Sequence, residues 1–220
     1  MLTGDLQTQT LPSLRLSDTV GQALQLMNDS QVTHLPVADE DDFLGIVSED
    51  DLLQAESEQI RLSELSSSFG QLSVKTNDHF LKALQIAADH SLSVVAIINE
   101  ENKLVGTMAY HDLLKQSADF MSLHTPGALI VLEVDSNQYS FNEISKLIET
   151  NDAQITQLNT SSDPDTGSMQ VTIRINKPEV SDIVATFQRY EYNVKYYFGE
   201  EIYTNELRSN YENLMNYLKV

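Results

Sequence analysis

A hydroxyl and a carboxylate stand three residues apart at Ser48 and Asp51, close to the predicted start of a helix near Glu49. A carboxylate accepts hydrogen bonds from a vicinal diol, and a hydroxyl at a helix N-terminus can donate to a phosphate oxygen beside free backbone N–H groups. Because three residues make about one helical turn, both side chains can face one cleft. The same Ser-x-x-Asp spacing is also typical of a pair that only caps a helix, so both interpretations stay open at this stage.

The segment that contains this pair occurs twice in the chain. The copies match at an offset of 60, which becomes 61 after a one-residue insertion. Four of the matching pairs of segments are Ser13–Asp18 with Ser73–Asp78, Ala23–Leu26 with Ala83–Ile86, Leu44–Gly45 with Val105–Gly106, and Asp51–Leu53 with Asp112–Leu114. Self-similarity over this length indicates a duplicated structural unit. We place copy one at about 12–56 and copy two at about 72–117.

Each copy is predicted to fold in the order β-α-β-β-α. An extended segment (13–16, 73–76) precedes a helix-cap candidate, Asp18 or Asp78. Helices with apolar residues at helical spacing follow, carrying Val20, Ala23, Leu24 and Met27 in copy one and Phe80, Ala83, Leu84 and Ala87 in copy two. Two strands, 32–37 and 43–47 in copy one, join through the acidic turn 39–42. A unit this small cannot bury both faces of its sheet, so the copies are expected to pack together around a cleft.

Both copies resemble cystathionine-β-synthase (CBS) domains, and the pair resembles a Bateman module. The resemblance rests on Leu35-Pro36-Val37 and on Gly45-Ile46-Val47-Ser48-Glu49-Asp50-Asp51, which matches the family pattern Gly-apolar-x-[Ser/Thr]-x-x-Asp. In such modules this pattern contacts adenosine ligands. The resemblance implies that Asp51 binds the ribose hydroxyls and Ser48 the phosphate, with Gly45 admitting the ligand and Pro36 and Val37 beside it.

The second copy departs from the family pattern. Ala109 stands where the hydroxyl is expected and Ala96 replaces the proline, while Asp112 is kept and can still meet a diol, which predicts a weaker second site. The cations of the front half are scattered, and Arg15 and Lys75 occupy equivalent places where each can serve one phosphate. A monophosphate or an uncharged adenosyl compound is therefore favoured over ATP. The expected ligand is AMP, ADP or another adenosyl ligand, and no other cofactor is expected.

The back half is predicted to be a second domain. Linker composition at 118–127 precedes elements in the order β-α-β-β-α-β over 128–200, the ferredoxin-like split βαβ, with a hairpin turn at 163–167. A CBS pair followed by this fold resembles the acetoin-utilisation regulatory proteins, whose tail is ACT-like. The loop 135–139 lacks the glycine typical of amino-acid-binding ACT domains, which favours a packing or dimerising role. Alternating apolar residues at 190–198 predict a core face, and residues 201–220 predict an amphipathic C-terminal helix.

Composition excludes several classes of function. The chain carries 33 acidic and 13 basic residues, a net charge of −20, which disfavours binding to nucleic acid or to an acidic membrane. Cysteine is absent, the eight glycines form neither a Walker loop nor a dinucleotide fingerprint, and the five histidines are too widely spaced for a local metal motif. Neither a Gly-x-Ser-x-Gly elbow nor a His-Glu-x-x-His motif occurs, so no enzyme is predicted.

The sequence thus predicts an α+β protein, soluble and cytoplasmic, that forms a homodimer. Its expected role is that of a regulatory module in which an adenosyl ligand changes the packing of the repeats or the contacts with a protein target of unknown identity. The alternative is a ligand-free homodimerising scaffold whose nucleotide site has decayed, as the departures in copy two suggest.

Overall fold

The chain separates into two compact units, Met1–Ser117 and Ala118–Val220. The structure, a computed structural model, describes residues 1–6, 11–135, 137–162 and 167–199. The predicted C-terminal helix at 201–220 and most of the predicted hairpin turn at 163–167 lie outside the described residues. Both described units combine helices with sheets, and the predicted α+β class is confirmed.

Copy one follows the predicted order with a shortened first strand. Its elements are α1 (Thr3–Leu6), α2 (Val20–Ser30), β1 (His34–Asp39), β2 (Asp42–Ser48), α3 (Glu49–Leu53) and a 3₁₀ helix (Leu62–Ser68). β1 and β2 form an antiparallel pair, and the predicted strand at 13–16 is reduced to a single parallel bridge between Leu14 and Val37. The sequence patterns did not predict α1 or the 3₁₀ helix.

Copy two shows the predicted order in full. Its elements are β3 (Ser73–Lys75), α4 (Phe80–Asp89), β4 (Val94–Ile98), β5 (Leu104–Ala109) and α5 (Tyr110–Phe120). β3 runs parallel to β4, and β4 runs antiparallel to β5. The equivalent helices α2 and α4 bury equivalent apolar residues: Val20, Ala23 and Met27 in copy one, and Phe80, Ala83 and Ala87 in copy two.

The helix caps differ from the prediction by one residue. Thr19 caps α2, where its Oγ1 accepts the Gln22 N–H while the Gln22 side chain accepts the Thr19 N–H, and His79 caps α4. Asp18 instead accepts the Arg15 N–H at 2.8 Å, as Asp78 accepts the Lys75 N–H at 2.9 Å. Each aspartate therefore closes the turn that leads into the helix, and the following residue occupies the cap position.

The two copies are related by a local two-fold axis. Phe43 N–H donates to Asn102 O at 3.0 Å, and Leu104 N–H donates to Asp41 O at 2.7 Å. Under the repeat offset Phe43 corresponds to Leu104 and Asp41 to Asn102, so equivalent residues exchange the same hydrogen bond. This reciprocal pairing confirms the predicted pseudo-symmetric packing of the copies, and we call the region where they meet the copy junction.

The second unit has the predicted β-α-β-β-α-β order. Its elements are β6 (Ala128–Asp135), α6 (Phe141–Glu149), β7 (Ile155–Ser162), β8 (Ser168–Ile175), α7 (Ser181–Arg189) and β9 (Asn193–Phe198). The antiparallel sheet has the order β7-β8-β6-β9, as the ferredoxin-like prediction requires. Both helices bury their apolar faces against this sheet, with Ile144 and Phe187 at 0% exposure.

Two predictions for the back half are corrected by the structure. The segment predicted as a linker is not irregular throughout, because α5 continues to Phe120 and Thr125 O accepts a hydrogen bond from Arg174 Nη2 at 2.7 Å. The alternating aromatic residues of β9 do not share one core face. Tyr192 and Val194 pack against the core, but Tyr196 and Phe198 are exposed, because the pairing with β6 shifts register between Val131 and Leu132.

Candidate functional site

Ser48 and Asp51 lie at the junction of β2 and α3. Ser48 is the N-cap of α3, and its Oγ accepts the Asp51 N–H at 3.1 Å while donating to Asp51 Oδ2 at 2.6 Å. Asp51 is exposed and Ser48 is half-buried. The structure thus brings the predicted pair together on an accessible surface, and it also shows the capping interaction that the sequence left open as an alternative.

The start of α3 is held at the copy junction by the backbone. Glu49 N–H donates to Thr33 O at 2.8 Å, and in copy two Tyr110 N–H donates to Ser93 O at the same distance. Thr33 and Ser93 are themselves in contact, because Thr33 N–H donates to Ser93 Oγ at 2.9 Å. The N-termini of α3 and α5 therefore both lie beside this contact between equivalent residues.

Three residues predicted to contact the ligand lie in the interior of copy one. Pro36 and Val37 are buried in β1, and Val37 belongs to the hydrophobic core. Gly45 has φ +145°, and a Cβ added there would lie 2.7 Å from Phe69 Cβ. The close approach of the Phe69 segment accounts for glycine at this position without a ligand. Gly45 is itself buried, and the expectation that it admits a ligand stays a prediction.

Arg15 lies away from the Ser48–Asp51 pair. It is exposed and follows Leu14, which pairs with Val37, whereas Ser48 pairs with His34 three residues earlier along β1. That displacement is about 10 Å along the strand direction, with two strand spacings between the chains. The fold therefore does not bring the Arg15 backbone next to the candidate site.

In copy two the equivalent site has a different pair of side chains. β5 ends at Ala109, α5 begins at Tyr110, and the half-buried Asp112 lies 3.3 Å from Nε2 of its exposed neighbour His111. Asp112 thus has an imidazole neighbour in place of the hydroxyl that Asp51 has. The carboxylate of each copy therefore has a different neighbour: the Ser48 hydroxyl beside Asp51, and the His111 imidazole beside Asp112.

An open recess of about 390 Å³ lies on copy two beside the copy junction, lined by Ala87, Ala88, Ser91, Leu92, Ser93 and Tyr110. In copy one, Met27 stands at the position equivalent to Ala87. Met27 has a large side chain that is only 1% exposed in the core. The two copies therefore differ in side-chain size at this buried position. The sequence reading missed this recess, although the repeat alignment already set Met27 against Ala87.

His34 is a second residue that the sequence reading did not assign to the site. It is the first residue of β1, it is half-buried, and its strand partner is Ser48. Burial lowers the pKa of His34, and the negative charges of Asp51 and Asp50 raise it by a smaller amount. The imidazole therefore belongs electrostatically to the Ser48–Asp51 site and stays mainly neutral near pH 7.

Comparison with known proteins gives the family of the first copy. Residues 4–58 match the CBS domain family. The first copy is thus similar to CBS domains over this range. The matched range includes Ser48 and Asp51, and copy two repeats the strand and helix order of this CBS domain in the structure. The predicted resemblance is confirmed.

The curated relatives that this chain matches are larger proteins. Inosine-5'-monophosphate dehydrogenase of Methanocaldococcus jannaschii is 23% identical over 133 residues, which make up 60% of this chain and 27% of that protein. Homoserine O-acetyltransferase of Methanobrevibacter ruminantium is 30% identical over 103 residues, 46% of this chain and 21% of that enzyme. The chain thus spans about a quarter of the length of the curated relatives it matches, and their activities do not transfer to it.

The solved structures that are similar to this chain include the following two. A CBS domain pair/ACT domain protein from Thermotoga maritima is 27% identical with a TM-score of 0.49, covering 54% of this chain and 98% of the other. A Vibrio cholerae protein assigned to acetoin utilization is 23% identical with a TM-score of 0.48, covering 56% and 95%. These likenesses extend over about half of the present chain.

Two searches of the described residues returned negative results. No helix among them is both long and apolar enough to cross a membrane. Within the same ranges, no group of three His, Asp or Glu side chains is arranged to hold a metal ion.

Proposed function

We propose that Met1–Ser117 is a regulatory, non-catalytic module that binds an adenosyl ligand at the copy junction. Ser48 contacts the phosphate and Asp51 contacts the ribose hydroxyls. The observation that carries this proposal is the accessible hydroxyl–carboxylate pair at the N-terminus of α3, with Ser48 Oγ and Asp51 Oδ2 2.6 Å apart. Both groups already point at one another, so a diol and a phosphate oxygen can replace that contact with hydrogen bonds of the same kind.

The neighbourhood of the pair supports a binding role linked to packing. Glu49 at the start of α3 bonds to Thr33, and Thr33 bonds to Ser93 of the other copy. A ligand that replaces the Ser48–Asp51 contact therefore binds next to Glu49, which is connected through Thr33 to Ser93 at the copy junction. The regulated quantity in this proposal is the packing of the two copies, which changes the contacts available to a protein target.

A thermal-shift screen of the full chain with AMP, ADP, ATP and S-adenosyl compounds tests the proposal. A ligand present at about 100 times its Kd adds roughly 2.7 kcal/mol to the stability of the unit that binds it. We expect AMP or ADP to raise the unfolding temperature, and a Ser48→Ala variant to respond less than the parent chain. The absence of a shift with every compound would remove the proposed function.

The second candidate function is a ligand-free homodimerising scaffold, and a separate observation favours it. Leu53 on α3 and Leu114 on α5 are equivalent in the repeat, and they are 64% and 59% exposed. A second copy of this chain can bury large apolar side chains that are exposed at equivalent positions of the repeat. In this case the Ser48–Asp51 contact is only a helix cap.

We expect the Leu53→Asp, Leu114→Asp double variant to lower the molar mass measured by light scattering from that of a dimer to that of a monomer. Charged side chains at both positions would have to be buried without partners in the dimer. Leu123→Asp, at a leucine that is 51% exposed in the other unit, is the matched control and should leave the mass unchanged. A monomeric parent chain, or a dimeric double variant, argues against the scaffold.

A further inference from the structure

His34 joins the candidate site to the copy junction through its Nδ1 atom. Nδ1 lies 3.3 Å from Ser93 N, 3.0 Å from Thr33 Oγ1 and 3.3 Å from Ser93 Oγ. A backbone N–H can only donate, so Nδ1 must carry the lone pair and the neutral ring must carry its proton on Nε2. The tautomer of His34 is thereby fixed by a hydrogen bond from the other copy.

The charges around His34 are unbalanced. Asp50 and Asp51 act on the ring electrostatically, and within the described ranges no lysine or arginine lies within ion-pair distance of either carboxylate. A phosphate at Ser48 would add a further negative charge beside these two carboxylates. The imidazole next to Ser48 can offset that charge by taking up one proton.

Protonation of His34 must change the junction itself. A proton on Nδ1 removes the acceptor of the Ser93 N–H and turns Nδ1 into a donor, with Thr33 Oγ1 and Ser93 Oγ in range. One hydrogen bond between the copies is lost and another of opposite direction replaces it. Copy two cannot do this at the equivalent position, because Val94 stands there.

We infer that His34 couples the ligand to the copy junction: an anionic group bound at Ser48 causes His34 to take up a proton from solvent, which reverses the hydrogen bond with Ser93. This inference rests on the proposed function and adds that binding of the phosphate is coupled to proton uptake at His34. In the free protein the depressed pKa of His34 means that its contribution to stability is present above pH 6.5 and is lost as the pH falls through the folded-state pKa. A bound anion raises that pKa and so favours the protonated junction near neutral pH.

The test uses calorimetry of the full chain with AMP and with adenosine, in buffers of different ionisation enthalpy, between pH 6 and 8. We expect proton uptake with AMP that exceeds the phosphate's own titration, no uptake with adenosine, and a Kd for AMP that falls about threefold from pH 7.5 to 6.5. His34→Asn keeps an acceptor near the Nδ1 position and cannot be protonated, so the excess uptake should vanish. His90→Asn, at the exposed histidine that follows α4 as its C-cap, is the matched control.

The outcomes separate the two proposals. Binding of AMP with equal proton uptake in the parent chain and His34→Asn would overturn the role of His34 and leave the adenosyl site standing. No binding of AMP or adenosine by the parent chain would remove the site and the coupling together. Without any ligand, the amide resonance of Ser93 should shift with the same midpoint pH as the His34 ring, and an unresponsive Ser93 amide would also overturn the inference.

Discussion

Replacing Gly45 with alanine is expected to lower the free energy of unfolding of Met1–Ser117 by about 2–4 kcal/mol. The backbone of Gly45 has φ +145°, which is unfavourable for any residue with a side chain, and the new Cβ would lie 2.7 Å from Phe69 Cβ and 3.0 Å from Gly70 O. Gly70 cannot easily move away, because it exchanges two backbone hydrogen bonds of 2.8 Å with Ile46. Urea denaturation of the full chain measures the effect.

Gly21→Ala is the control for this substitution. Gly21 lies in the first turn of α2, and an added Cβ would lie 3.3 Å from Glu58 Cβ, so that neighbour has to give by only a few tenths of an ångström. Alanine also favours the helix by roughly 1 kcal/mol relative to glycine. We therefore expect the Gly21 variant to be as stable as the parent chain or more so. A Gly45→Ala chain that unfolds at the parent's urea concentration would contradict the packing role of Gly45.

Replacing Phe187 with alanine is expected to destabilise the second unit by about 3–5 kcal/mol. The ring is 0% exposed within the core between α7 and the sheet, and it packs edge-on against Tyr192 with centroids 5.5 Å apart. Tyr192 donates from its hydroxyl to Glu143 Oε2 at 2.8 Å, and burial together with this bond raises the pKa of Tyr192 to about 12. Loss of the Phe187 ring therefore leaves a cavity and loosens its partner. Thermal denaturation, with the tyrosine absorbance titration as a second readout, measures both effects.

Phe198→Ala is the matched control, because Phe198 is 64% exposed on β9. A substitution at such a position should change stability by no more than about 0.5 kcal/mol. Similar losses of stability in the Phe187 and Phe198 variants would mean that the core is not arranged as described.

Local patterns predicted most of the architecture. Apolar spacing identified α2 and α4 and their buried residues, and the repeat offset gave the pairing of the two copies, because both signals follow directly from side-chain periodicity. The caps were placed one residue early, since Asp18 and Thr19 are both good capping residues and the choice depends on the turn before the helix. The ferredoxin-like order followed from the same kind of local signal.

The features that could not be predicted depend on contacts between distant residues. Gly45 owes its conformation to Phe69 and Gly70, more than twenty positions later, and His34 meets Ser93 only because the copies pack about a two-fold axis. Tyr196 on β9 is exposed and not on the predicted core face, because the pairing of β9 with β6 shifts register. The alternation of residues within β9 does not reveal this shift. For the candidate site, the sequence identified the Ser48–Asp51 pair. The family pattern also named Pro36 and Val37, which are buried, and their contact with a ligand stays a prediction.

Calorimetric titration of the full chain with AMP, repeated with Asp51→Ala and Asp112→Ala, tests the central proposal most directly. We predict that the parent chain binds AMP, that Asp51→Ala weakens binding at least about tenfold, or roughly 1.4 kcal/mol, and that Asp112→Ala changes it far less. Binding that is lost equally in both variants, or retained in the Asp51 variant, would contradict the placement of the ligand at Ser48 and Asp51.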